Sequence, residues 1–124
     1  MRCLVTILQI QRDTGLWYWA EYTIFSITDE SDAYRLTVDG YSGDAGNALR
    51  HPSWDANGMQ FSTWDVDHDL CGVSISCALS HMGGWWYACC SYSYINKHFY
   101  TRWQGAGNGA ENVQASRMLI RIAT

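Results

Sequence analysis

The sequence predicts an α+β fold in which an antiparallel sheet occupies the N-terminal part. A loop-rich C-terminal part follows, which needs cross-links or a metal ion to stay ordered. Three observations carry this expectation. Between Leu4 and Gly43, three β-rich stretches follow one another, with turn residues between them. From His51 onward the periodicity fades into segments rich in Gly, Asn, Asp and Ser. The composition is unusually aromatic, with seven Trp, eight Tyr and three Phe, while 11 Gly against a single Pro speak for many tight turns.

The first stretch, "LVTILQI", is β-rich and largely apolar, and reads as a buried strand rather than a secretory leader, because no small-residue cleavage site follows it. "WYWAEYTIFSI" (17–27) alternates aromatic with small or polar residues, as a half-buried strand does. "YRLTVDGYSG" (34–43) reads as a third strand with Tyr34, Leu36 and Val38 on one face and Asp39-Gly40 as a turn signal. "DAGNALR" (44–50) favours a short helix with Asp44 as its N-cap. "WDANGMQFSTWDVDHDLCG" and "WQGAGNGAENVQ" are turn-rich loops, and "SRMLIRI" (116–122) reads as a closing strand. The organisation is thus a central sheet over 4–50, a loop region over 51–115 and a closing strand over 116–122.

At 124 residues the chain is one domain or part of one, long enough to bury a modest core. Its formal charge of −4, with no run of Lys or Arg, argues against a nucleic-acid partner. No apolar run approaches the ~20 residues that a membrane span requires. Paired carboxylates, a Ser/His/Asp order and a phosphate-binding glycine loop are not evident, so no enzyme is expected. Five cysteines is an odd count, which leaves at least one thiol free or paired to another chain, and so allows an oligomer.

Two segments carry chemistry. In "WDVDHDLCGV" the residues Asp65, Asp67 and Asp69 stand at alternate positions, the spacing at which carboxylates and intervening carbonyls suit a hard cation such as Ca²⁺. Counting from Asp67 puts Gly72 at the sharp turn of an EF-hand-like loop and Val73 at its carbonyl position, but Ala78 stands where the bidentate Glu belongs. On spacing alone, a Ca²⁺ site and a solvated acidic turn are equally supported. The second segment, "GGWWYACC" (83–90), sets Cys89 directly against Cys90. Adjacent Cα atoms lie about 3.8 Å apart (about 2.9 Å if cis), short of the roughly 4.4–6.8 Å of a relaxed disulfide, so at least one of the two looks elsewhere for a partner. Trp85, Trp86 and Tyr87 read as core rather than ligand wall, and His51, His68 and His98 as surface residues without metal spacing. Cys3 reads as a small buried apolar residue or as a leftover of a truncation.

Together "YRLTVDGYSGDAGNAL", "NGMQFSTWDVDHD", a cysteine followed thirteen residues later by another across "GGWWYACC", and the closing "SRMLIR" resemble the fibrinogen C-terminal-like domain, the module of fibrinogen chains, ficolins, tenascins, angiopoietins and tachylectin-type lectins. The resemblance runs from about Leu4 to the end and implies the fibrinogen C-terminal-like fold, of which this sequence would be a partial module starting near its middle. It implies a Cys77–Cys90 disulfide and a cis Cys89–Cys90 peptide bond, with Cys71 and Cys89 as extra cysteines whose pairing stays open. It implies a Ca²⁺ site formed by the Asp67 and Asp69 side chains and the carbonyls near Cys71 and Val73, with Asp65 outside it. By the same resemblance a pocket for acetyl groups would involve His81, Cys89, Cys90 and Ser91, with Tyr100 and Trp103 as its wall. Ser91 stands where the family usually has a His, and the stretch between Asn96 and Trp103 is short. The function implied is a secreted, calcium-dependent lectin for acetylated glycans, of innate-immunity type. The alternative is an extracellular protein-binding module of the matrix or receptor-ligand kind, or a truncated fragment without a ligand.

Overall fold

A computed structural model of the chain describes residues 4–96, 101–104 and 110–122. Strands β1 (Leu4–Arg12), β2 (Trp17–Ile27) and β3 (Leu36–Gly43) are followed by a long irregular segment that holds one short helix, α1 (Cys77–His81). Strands β4 (Ser93–Tyr94), β5 (Arg102–Gln104) and β6 (Ala110–Ile122) complete one six-stranded sheet in the order β3-β2-β1-β6-β5-β4. Every neighbouring pair is antiparallel.

The sheet buries one face because its strands alternate. Leu8 pairs with Ala20 on one side and Met118 on the other, and Leu8 and Ala20 are buried. The residue between them and the next core pair, Gln9, faces the other way, opposite Trp19 and Arg117. A register shift between Leu4 and Thr6 lets β2 turn both Tyr22 and Phe25 towards the core, an extra-residue irregularity of the kind that re-aims side chains. On β3 the matching change falls at Gly40, where φ is +74° and a Cβ would lie 1.9 Å from Thr23 Oγ1. Asp39-Gly40 therefore does not turn the chain. It kinks a continuous strand, and only glycine fits the backbone conformation and the space.

The irregular segment covers the buried face. Trp85, Trp86, Tyr87 and Trp103 pack with Leu8, Ile10, Tyr22, Leu36, Val38 and Leu49 in one core. Trp86 meets Phe25, Phe61 and Trp85 edge-on, with ring centroids 6.1, 5.1 and 5.1 Å away, the favoured aromatic geometry. Two polar groups entering this layer are paired: the Trp86 indole N–H donates to Tyr34 O at 2.8 Å, and Tyr22 Oη donates to Asn47 Oδ1 at 2.9 Å. Burial pushes the Tyr22 phenol pKa well above its ordinary value. Arg50 ties the segment to β3, reaching Val38 O, Asp39 and Asp55.

Three expectations are corrected. The helix over 44–50 is only a 3-10 turn at Ala48–Arg50, and Asp44 caps nothing: its Oδ1 accepts from the N–H of Trp19 at 2.8 Å, bracing the segment against β2. Tyr34 is not on β3 but precedes it in the left-handed region, half-exposed. The closing strand begins at Ala110 rather than 116, and Trp103 and its neighbours form β5 rather than a loop.

Candidate functional site

The acidic loop and the aromatic segment are brought together by backbone pairing. Ser62 and Trp85 exchange N–H···O bonds of 2.9 and 3.2 Å, and Leu70 N–H donates to Ala88 O at 2.8 Å. Helix α1 follows the loop, with Ser76 Oγ accepting from Leu79 N–H at its start and Met82 closing it in the left-handed conformation. Cys77 and Ala78 point into the core, which leaves Leu79 and Met82 exposed.

Asp69 organises the loop. Its Oδ1 accepts from Cys71 N–H at 2.9 Å and its Oδ2 from Cys77 N–H at 2.8 Å, so one carboxylate clamps both ends of the turn between them. Asp67 is exposed, and its Oδ1 accepts from Asp69 N–H at 3.0 Å. Gly72 turns the loop with φ +87°. Asp65 is exposed, and its Oδ1 accepts from Thr63 Oγ1 at 2.8 Å. Val73 is fully exposed. The donor set of two carboxylates and loop carbonyls is all oxygen and half open to solvent, which fits a hard cation. The remaining capacity of Asp69 is limited by the two N–H groups it already serves. Among the described residues, the one trio of His, Cys, Asp or Glu side chains with ligand atoms within 4.8 Å is Cys71, Cys77 and Cys90, whose sulfurs are already in disulfides.

Cys77 is bonded to Cys90, and Cys71 to Cys89, so the vicinal pair is stapled outward in two directions. The Cys89–Cys90 peptide bond is cis. The second staple is the feature the sequence left open. Four cysteines allow three connectivities, and spacing does not choose among them.

The remaining pocket residues are placed less favourably for a ligand. Trp103 is completely buried, and its indole N–H donates to Gly46 O at 2.9 Å, so it is core rather than a wall. Ser91 is buried too, its N–H donating to Tyr94 Oη and its Oγ accepting from Ser93 N–H. His81 is half-buried and stacks against Tyr94 with ring centroids 4.4 Å apart and against Tyr87 at 6.2 Å. Burial raises the Tyr87 phenol pKa, with Tyr94 and Asp69 adding to the shift. Tyr100 and Cys3 lie outside the described residues. His51 and His68, read as plain surface residues, are both anchored: His51 stacks on Tyr92 at 3.8 Å, and His68 Nδ1 lies 2.9 Å from Phe61 O.

Sequence reasoning missed an apolar rim around the loop. Thr63, Trp64, Leu79, Met82, Gly83 and Gly84 line one open hollow of about 330 Å³. Trp64 is 72% exposed, and Leu70 and Ile75 stand exposed nearby in the chain. The available signal was the recurrence of apolar residues, Trp64, Val66, Leu70, Val73 and Ile75, among acidic or small ones in this stretch.

The fold and the doubly stapled loop place this chain among the fibrinogen-like globes. Residues 4–115 match the family described as fibrinogen beta and gamma chains, C-terminal globular domain, and the chain belongs to that family. It is 40% identical to mouse angiopoietin-related protein 6 over 115 residues, covering 83% of this chain and 24% of that protein. To chicken tenascin it is 44% identical over 79 residues, 64% of this chain and 4% of that one. The fibrinogen-like globe domain of human ANGPTL6 superposes with a TM-score of 0.84 at 32% identity, covering 99% of this chain and 58% of that domain. The chain therefore spans about a quarter of the angiopoietin-related protein and little more than half of the solved globe.

Proposed function

We propose that the chain is an extracellular protein-binding module, which contacts partner proteins through the apolar rim of the acidic loop. The observation that carries this reading is the shared hollow of Trp64, Leu79 and Met82. Large exposed Trp and Met side chains around a concave surface are what protein interfaces are enriched in. Two disulfides suit an oxidising, extracellular setting. The similarity to an angiopoietin-related protein and to tenascin supports this reading over the lectin one. In this proposal Ca²⁺, held by Asp67 and Asp69 with carbonyls near Cys71 and Val73, stiffens the loop that carries the rim.

The acetyl-sugar reading has less support. Its wall residue Trp103 is in the core, and Ser91, which stands where the family usually has a His, is buried with its N–H bonded to Tyr94. The test is a panel of purified extracellular ectodomains alongside N-acetylglucosamine resin, each with Ca²⁺ and with chelator. Retention on at least one ectodomain, weakened tenfold or more in a Trp64→Ser/Met82→Ser variant, is expected. Retention on the resin alone, released by chelator, would overturn the reading in favour of a lectin.

A further inference from the structure

The two disulfides do not merely lie near each other. Cys71 Sγ is 3.5 Å from Cys77 Sγ and 4.0 Å from Cys90 Sγ, so four sulfurs from three chain segments form one cluster. Access to it is uneven: Cys77 is completely buried, whereas Cys71, Cys89 and Cys90 are half-buried, so of the two bonds the Cys71–Cys89 bond is the one open at both sulfurs. A solvent thiol therefore reaches the Cys71–Cys89 bond before the Cys77 sulfur, and exchange rates depend on which sulfur can be attacked.

We propose that this cluster is a thiol–disulfide exchange site. A small external thiol opens it at Cys89, and its remaining disulfide then moves from Cys77–Cys90 to Cys71–Cys77. In the first step an external thiolate attacks Cys89 Sγ. A mixed disulfide forms there, the Cys71–Cys89 bond breaks, and Cys71 leaves as a thiolate. The freed Cys71 sulfur starts 3.5 Å from that of its buried neighbour. Its thiolate attacks Cys77 Sγ, the Cys71–Cys77 bond forms, the Cys77–Cys90 bond breaks, and Cys90 leaves as a thiolate that takes a proton from solvent. A second external thiolate attacks the outer sulfur of the mixed disulfide and releases Cys89. The balance is two external thiols oxidised to their disulfide and one cluster disulfide reduced to the thiols of Cys89 and Cys90.

The loop geometry favours the new pairing. Asp69 already holds the N–H groups of Cys71 and Cys77 on one carboxylate, which keeps the two residues together while the bond between them forms. In the exchanged form the acidic loop is closed on itself, and the Cys89–Cys90 segment is no longer tied to it. The inference does not depend on what the module binds.

The test uses the full chain in a Cys3→Ser background, exposed to graded reduced glutathione, quenched with iodoacetamide and mapped after chymotryptic cleavage without reductant. Cleavage after Leu70, Leu79, Tyr87 and Tyr92 separates fragment 71–79 from fragment 88–92. At partial reduction, fragment 71–79 should appear two hydrogens light and unalkylated, together with fragment 88–92 alkylated at both cysteines. If Cys77–Cys90 is the only partner pairing found before full reduction, or if both bonds are lost together, the proposal is overturned. Cys89→Ser supplies a second readout without any reductant. It leaves Cys71 as a standing thiol, so alkylation should divide between Cys71 and Cys90. Alkylation of Cys71 alone in a folded variant would also overturn the proposal, and should that variant not fold, the glutathione series decides.

Discussion

Replacing Asp69 by alanine removes the acceptor on which two backbone N–H groups converge, those of Cys71 at 2.9 Å and Cys77 at 2.8 Å. A hydrogen bond to a charged group contributes about 1.5–3 kcal/mol, and a buried donor left unpaired forfeits its desolvation as well. Cys77 is completely buried, so no water replaces the carboxylate there, whereas Cys71 is half-open and recovers part of its loss. The expected cost is therefore about 3–4 kcal/mol, a large share of the roughly 5–15 kcal/mol that holds a domain folded. Asp67→Ala removes only the bond from Asp69 N–H on an exposed loop, worth about 0.5–1 kcal/mol. Urea unfolding with the disulfides intact and in the presence of chelator separates the two, since no metal then contributes. If the variants differ by less than about 0.5 kcal/mol, Asp69 is not the organiser of the loop and the reasoning fails. In about 2 mM Ca²⁺, with a dissociation constant of about 10⁻⁴–10⁻³ M, the native chain should gain about 0.7–1.8 kcal/mol. That gain should be absent from both variants and retained by Asp65→Ala.

Gly40→Ala should cost at least 2 kcal/mol in thermal or urea unfolding, because its Cβ would meet Thr23 Oγ1 at 1.9 Å in a left-handed backbone. An unchanged midpoint would show that β3 is not kinked there. Trp103→Phe should cost about 2–4 kcal/mol through lost volume and the unpaired Gly46 carbonyl, and a loss below about 1 kcal/mol would move Trp103 out of the core. Burial raises the phenol pKa values of Tyr22 and Tyr87 in the folded chain, so both states stay protonated below the ordinary tyrosine pKa of about 10 and stability is flat there. Above it the unfolded phenols ionise and the folded ones do not, so stability falls as pH rises, by up to about 1.4 kcal/mol per pH unit for each phenol. Absorbance titration should show a tyrosine fraction that ionises only on unfolding, and complete rapid ionisation at pH 11 would contradict this.

What the sequence disclosed was whatever rests on local pattern. Strand β1 announces itself because it is β-rich and largely apolar, β2 because aromatic residues alternate with small or polar ones along it, and the Trp85–Tyr87 run because large rings beside Gly-Gly gain most by burial. Asp44 was misjudged because the N–H it serves belongs to Trp19, 25 residues upstream, and no helical signal encodes a partner so far away. The first residues of β6, "AENVQ", carry little β character, and they are strand because β5 and β1 pair with them. Trp103 was assigned to a pocket wall on its aromaticity, which is the same in a wall and in a core. The Cys71–Cys89 bond depends on where three segments meet, and spacing alone is silent on that.

The position of β6 has a consequence for how the molecule is made. Its 13 residues lie between β1 and β5, so β1 is paired along its length by a strand more than 100 residues further along the chain, with Gln11 opposite Ala115 and Leu4 opposite Ile122. Until β6 emerges from the ribosome, β1, β2 and β3 are a three-stranded ribbon with an open edge, and the aromatic segment has only part of a sheet to pack on. Closure therefore waits for β6, and the long sequence separation of its contacts makes it slow. Over that interval the nascent chain carries an unpaired edge beside unsealed tryptophans and free thiols. Until β6 seals the sheet, that edge and those rings are where the chain is most prone to aggregate.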